Sequence, residues 1–270
     1  MAHLKSFRAG WENEHVAKYI ISKFSFISSP NTIGDDLGVD FFCTIFDVQM
    51  KNKKKYLFPT KNSFAIQIKS NRSDINFTKK INYLYLLHFP FFVGVVSQKK
   101  KKLTFYSNIY FDKEITIKWP KEKLLLKLSD EKRINKPYYY NENKKARILT
   151  LQKCAQITFT DDDESIIESV ELIKKNCSTM QKNILNRLTE HYVFFNPNTP
   201  TQADVVTGKD SYNGIRKHFF NRFGELLSNL EWFLKSNPEN QKARHELDYF
   251  KEFYNKTIKL WDSLGMIKRK

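Results

Sequence analysis

The chain has little of what dictates special architectures. Its 270 residues include three cysteines, Cys43, Cys154 and Cys177, too few and too scattered for a disulfide framework. No Cys-x-x-Cys pair occurs, so a structural zinc site has no support, and the thiols are expected to be reduced and mostly buried. Glycine and proline, eight of each, are too scarce for a fibrous or loop-dominated protein. No run approaches the roughly 18 to 20 apolar residues that cross a bilayer. The segment from Met1 to His15 is polar and lacks the apolar stretch of a signal peptide, so a cytoplasmic location is expected. Acid is also in short supply. With 29 Asp and Glu against 46 Lys and Arg, the net charge is +17. Such a surplus favours an anionic partner, nucleic acid foremost, although the bias toward Lys, Asn, Ile and Phe also matches an AT-rich genome.

What the chain has is apolar and aromatic mass, 41% hydrophobic and 15% aromatic, with 23 Phe and 13 Tyr. That suffices for one large domain or two modest ones and excludes disorder along the whole length. Ala17, Ile20, Ile21 and Phe24 recur at helical spacing, the stripe of a helix packed on a core. Glu14, three residues before Ala17, falls on the same stripe, where a carboxylate needs a partner or a metal. Ser28 to Gly38 reads as a loop and Asp40 to Val48 as a strand. Lys51 to Lys55 forms a basic hairpin tip before a second strand, Phe64 to Lys69. Alternation puts Gln67 and Lys69 side by side on one face of that strand, with small Ala65 leaving room. A one-residue slip in pairing would turn them away from Asp40.

Ile75 to His88 shows helical spacing through Phe77, Ile81, Leu84 and His88. Phe91 to Val96 is wholly apolar and predicts a central strand, followed by a basic turn at Lys99 to Lys102 and a return strand at Leu103 to Ser107. The order helix, strand, strand, helix, strand, strand predicts a mixed α/β domain. Trp119 to Tyr140 reads as a peripheral segment or loop. Beyond Asp161 the pattern becomes helical, and the acids Asp161 to Glu164 suit a helix N-terminus better than a metal site. Asn196 to Thr207 reads as a loop. Stripes from Ile215 to Phe233 and from Ala243 to Leu264, broken at Ser236 to Asn240, predict a helical hairpin. Its seam reads first as intramolecular core, and otherwise as a surface for a homodimer or partner protein.

One constellation carries chemistry. A carboxylate at a strand start (Asp40), a second oxygen donor (Gln67) and a lysine two residues on (Lys69) suit metal-assisted hydrolysis of a phosphodiester. Glu14 on the first helix and Asp36-Leu-Gly-Val-Asp40 complete the set. These residues resemble the PD-(D/E)xK nuclease superfamily, above all its restriction-type, Mrr-like branch, in which Gln-x-Lys is the third motif. Gly34 to Asp40 is similar to that branch's Gly/Asp-rich turn, whose last Asp is a metal ligand. The run from Leu84 to Ser107 also resembles a family of uncharacterised bacterial nuclease-like domains, often found near anti-phage systems. The likeness covers roughly residues 8 to 110 and leaves the C-terminal helices aside. It departs from the branch in the long stretch between Asp40 and Gln67, read as an extended hairpin reaching a nucleic-acid backbone.

The resemblance implies a nuclease-like domain, placed at 1–155, with a mixed-sheet core flanked by helices; the apolar stripes beyond it predict a helical region over 156–270. It also implies a Mg²⁺- or Mn²⁺-dependent deoxyribonuclease. Asp40, Gln67, Glu14 and the Ile68 carbonyl would hold the metal, Lys69 would position the water, and Asp36 would shape the turn behind them. Lys51, Lys53, Lys54, Lys55, Lys99, Lys100, Lys101 and Lys102 are the expected phosphate contacts. A silent nucleic-acid-binding module or a partner-activated subunit is the alternative. Other sites have little support. Thr207 to Asp210 lacks the glycine-rich run of a phosphate-binding loop, His245-Glu246 has no second histidine at zincin spacing, and no Gly-x-Ser-x-Gly elbow occurs.

Overall fold

The computed structural model describes residues 2–30, 38–51, 54–78, 81–112, 114, 123–131, 134–187, 191–196, 199–207 and 211–263. Helix α1 (Ala2–Ser22) buries Ala17, Ile20 and Ile21 completely, with Phe24 just past its end. Strand β1 (Ser25–Ser28) pairs antiparallel with β2 (Phe41–Lys51), and β2 forms a long hairpin with β3 (Lys54–Lys69). β3 lies parallel to β5 (Phe91–Ser97), a pairing that demands a crossover. β4 (Ile75–Asn76) and α2 (Ile81–Leu86) supply it. β6 (Lys102–Ser107) returns antiparallel to β5 and pairs with β9 (Ala146–Thr158). β7 (Lys123–Ser129) runs parallel to β9 on its other side and pairs with β4. The sheet reads β1-β2-β3-β5-β6-β9-β7-β4, with β8 (Tyr138–Asn141) joined to the first half of β9. This is the mixed α/β architecture expected from the sequence.

β3 divides the core by alternation. Phe64, Ile66 and Ile68 take one face, which Phe92 and Phe105 continue through the pairings Ile66 to Phe92 and Gly94 to Phe105. Phe24, just past the end of α1, reaches that face with its ring 6.3 Å from Phe105. α3 (Asp163–Asn186) reaches it too, where Ser178 bonds Asn62. β5 is central, as its apolar run predicts, and Phe91 to Val96 are all buried. Gly94 permits that packing, since a Cβ there would stand 2.9 Å from Ile68 Cδ1 and 3.0 Å from Ile66 and Leu103 Cδ1. The Asp162 side chain caps α3 by accepting the Ser165 N–H, with Asp163 and Glu164 in the first turn, as the acidic run predicts.

Three segments differ from their sequence reading. Among the described residues of Ile75 to His88, the α-helix is confined to Ile81–Leu86. Ile75 and Asn76 instead cap the sheet edge beside β7, and His88 is exposed. The stretch read as peripheral holds β7, whose Leu124 and Leu126 are fully buried in the sheet. The loop read at Asn196 to Thr207 is β11 (Thr199–Thr207), paired antiparallel with β10 (His191–Asn196). The chain divides into two compact units, Met1–Arg187 with His191–Gly208, and Leu188–Glu190 with Lys209–Lys270. The first unit runs past residue 155 because β9 continues to Thr158 and α3 bonds back to it, Ser169 Oγ donating to the Gln156 carbonyl. The second unit holds α4 (Ser211–Ser236) and α5 (Gln241–Ser263), antiparallel through Phe223 on Phe250, Phe220 on Tyr254 and Phe219 on Trp261. Among the described residues no helix is long and apolar enough to cross a membrane.

Candidate active site

Asp40 stands where the chain enters β2. Gly38, two residues earlier, has φ of 76°, a left-handed conformation glycine adopts without a Cβ clash. The Asp40 N–H bonds the Ile66 carbonyl at 2.9 Å, and Asp40 Oδ2 accepts the Ile68 N–H at 2.5 Å. A side-chain oxygen thus continues the ladder after the backbone of β2 has left it. The carboxylate is held on the edge of β3, level with the residue between Gln67 and Lys69. A strand residue sends its N–H and C=O to the same side, so the Ile68 carbonyl is directed toward that edge as well.

Gln67 opposes Val93 and Lys69 opposes Val95, which sets both side chains on the face away from α1 and α3. Lys69 is half-buried. Gln67 is only 7% exposed, and its Oε1 accepts no hydrogen bond from any described residue. Buried polar atoms are nearly always satisfied, and an orphaned acceptor costs about 1–3 kcal/mol. A cation or a water bound there would remove that cost. Asp40, Gln67, Ile68 and Lys69 therefore lie at the same end of the sheet, where β3 and β5 finish.

Glu14 is placed differently. Asn13, not Glu14, takes the buried position on the α1 stripe, and Glu14 is half-buried at its margin. It shares a cavity of about 140 Å³ with Trp11, His15, Lys18, Ser29 and Phe41. α1 thus brings Glu14 to the residue after Asp40, while neither Asp40 nor Gln67 lines that cavity. Asp36 lies outside the described residues, as does Lys53.

The lysine runs separate. Lys51 opposes Lys54 and Met50 opposes Lys55 at the tip of the β2–β3 hairpin. Thirteen residues of strand separate Lys54 from Gln67, on the order of 40 Å at the usual rise. The tip lies at the far end of β3, because the hairpin runs from its base at Phe41 and Ile66 to Lys51 and Lys54. The second run lies at the near end, since β5 parallels β3 and leads into it. Lys99 and Lys100 are exposed there. Lys101, at φ 44°, accepts the Phe159 N–H at its carbonyl and holds its ammonium 5.3 Å from the Phe159 ring. Lys102 donates to Gln156 Oε1 at 3.1 Å.

Further residues share the face of Gln67. Val93 opposes Tyr106, and Tyr106 opposes Lys153. The buried Tyr106 hydroxyl donates to Asp130 Oδ1 at 2.9 Å, and Arg72 pairs with Asp130 at 2.5 Å. Burial, and the bond to Asp130, push the Tyr106 phenol well above its ordinary value. Burial works to raise the Asp130 carboxyl, but its bonds from Tyr106 and Arg72 outweigh that and hold it below the usual range. None of these was singled out from the sequence. The alternation of Lys102, Thr104 and Tyr106 on one strand face was the one signal available.

Among the described residues no three His, Cys, Asp or Glu side chains come together to hold a metal ion. The oxygen donors at this sheet end are a carboxylate, an amide and a backbone carbonyl. No family model, no curated protein and no solved structure matches the chain.

Proposed function

We propose that the chain is a Mg²⁺- or Mn²⁺-dependent endonuclease acting on DNA in the cytoplasm, of the PD-(D/E)xK kind. The observation that carries this reading is the buried, unsatisfied Gln67 Oε1, next in sequence to the residue whose N–H fixes Asp40. Asp40, Gln67 and the Ile68 carbonyl are hard oxygen donors suited to such a cation. Glu14 would join them from α1, directly or through water. The cation would supply a Lewis acid for the phosphoryl oxygen and a water of lowered pKa.

The chain's own residues do the rest. The Ile68 N–H keeps the Asp40 carboxylate on the edge of β3. Lys69, on the face of Gln67, orients the attacking water or offsets charge gathering on phosphorus, and its long stem suits either task. Because Gln67 stands where an acid would add a negative charge, the set binds a cation weakly by itself and is completed by the substrate phosphate. A role in bacterial anti-phage defence rests on the resemblance alone.

A second reading, a silent nucleic-acid-binding module or a subunit activated by a partner, draws on the small donor set. It also draws on the aromatic surface of α4 and α5, where Trp232 and Tyr249 are each more than two-thirds exposed. The deciding experiment incubates the purified protein with plasmid and with linear single- and double-stranded DNA and RNA, in Mn²⁺ or in chelator. Metal-dependent cleavage of DNA is expected. Intact substrate at every protein excess would sink the stand-alone enzyme and leave the second reading.

A further inference from the structure

The face that carries Gln67 and Lys69 also carries a concentration of positive charge that the catalytic reading does not use. Strand pairing lays it out in rows. Lys69 opposes Val95, Val95 opposes Thr104, and Thr104 opposes Gln156. At the usual strand spacing, three steps put Gln156 about 14 Å from Lys69 across the sheet. Lys102 and Lys153 both donate to the one atom Gln156 Oε1, each at 3.1 Å. Their ammonium groups are thus no more than about 6 Å apart, a separation at which two like charges repel appreciably.

A bulge in β9 creates this meeting. Residues 153 and 156 would fall on opposite faces of a regular strand. The register shifts between Phe105 and Tyr106, Phe105 opposing Ala155 and Tyr106 opposing Lys153, so Cys154 is the extra residue. That extra residue returns Lys153 to the face of Gln156 and Lys102. Arg72 adds a third cation, its guanidinium 5.8 Å from the Tyr106 ring and its charge held in place by Asp130. Burial first, then the charges of Lys100, Lys153 and Arg72, push the Lys102 ammonium below its ordinary value. Two ammonium groups converging on a neutral oxygen are better satisfied by an anion.

We propose that Lys102, Lys153 and Arg72 form a phosphate track for one strand of nucleic acid, leading across the sheet to the Asp40–Gln67 end. The inference rests on the nuclease reading for the direction of the strand, and it gives that reading a binding surface on β6 and β9. The phosphates are held without reading bases, as contacts to the backbone alone would do.

The test measures binding of fluorescein-labelled 20-nucleotide DNA, single-stranded and duplex, by anisotropy in chelator, where no cleavage intervenes. The double variant Lys102→Ala with Lys153→Ala should bind about tenfold more weakly. Its salt dependence should fall by about two in log–log slope, near the loss of two duplex phosphate contacts. Gln156→Glu places a carboxylate between the two ammonium groups, so it should melt no lower than wild type and still lose affinity. Unchanged affinity and salt slope in both variants would overturn the track, as would absence of wild-type binding to either DNA. A plasmid assay in Mn²⁺ separates the two ideas. Binding that depends on these lysines without cleavage upholds the track and removes the enzyme, whereas cleavage by variants that bind like wild type does the reverse.

Discussion

The two faces of β3 are built from alternate residues of one segment and serve opposite ends. Phe64, Ile66 and Ile68 enter a core of edge-to-face rings, with Phe64 5.2 Å from Phe92 and Phe92 6.3 Å from Phe105. Every atom there gains from being buried. Ala65, Gln67 and Lys69 look the other way, onto a face where a buried amide oxygen lacks a donor and cations gather at Lys102, Lys153 and Arg72. Nothing in helix or strand formation needs those features. A fold optimised for stability alone would have put an apolar side chain at 67 and an acid at 156, between Lys102 and Lys153. Substitutions on the first face should therefore act on stability, and substitutions on the second on binding and chemistry.

The largest effect that sharpens this contrast is expected at Lys69. Lys69→Ala should lower Mn²⁺-dependent cleavage by about 10²–10⁴-fold, the range for removing a positioned proton-transfer or charge-stabilising group. Melting temperature and DNA affinity in chelator should stay near wild type. Asp40→Asn keeps an acceptor for the Ile68 N–H and should show the same split. A matching loss of thermal stability in either variant would merge the two faces into one structural core and remove the contrast. Phe92→Ala tests the opposite side, with an expected loss of about 3–5 kcal/mol in denaturant unfolding. The folded fraction should retain its cleavage rate.

A smaller and more diagnostic effect is expected at Gln67. An unsatisfied buried oxygen costs stability, so Gln67→Met, apolar and of similar length, should raise stability by about 1 kcal/mol. The same variant should lose metal-dependent cleavage, the usual exchange at a functional site. If Gln67→Met destabilises the protein, Oε1 has a structural partner and the argument for a cation there fails. Calorimetric titration with Mn²⁺ gives a second readout, with heat from wild type in excess DNA and none from the variant.

How much of this could be read from the chain depended on whether the signal was local. The α1 stripe, the apolar run of β5 and the break between α4 and α5 are short-range patterns, and the structure repeats them. So is the alternation that sets Gln67 beside Lys69. β7 was missed because its lysines and the prolines flanking it look like a loop. Its place was decided by β9, a strand some twenty residues further on that pairs with it in parallel. The acid on the α1 stripe was misjudged by one position, since Asn13 is a polar residue that periodicity alone does not favour over Glu14. Lys153 and Gln156 were invisible for a different reason. Only the bulge at Cys154 puts them on one face, and a bulge has no fixed residue pattern. Lys51, Lys54 and Lys55 show the converse, part of a conspicuous run at the hairpin tip, far from the Gln67 end of β3.

The smallest expected effect concerns Asp130, an acid placed among the cations of the second face. Its carboxyl titrates below the ordinary value, so its contribution is present above about pH 4 and lost as pH falls through the lower folded value. The Asp130 and Arg72 side chains are 43% and 49% exposed, so solvent screening limits the pair to at most about 1 kcal/mol. Asp130→Asn should therefore unfold slightly more easily than wild type at pH 7, with the gap closing below about pH 4. If the second face is a phosphate surface, removing its acid should also tighten DNA binding at pH 7 and steepen its salt dependence. A stability change without a change in affinity would mean that Arg72 serves Tyr106 and the sheet edge, leaving the two lysines on Gln156 as the whole of the track.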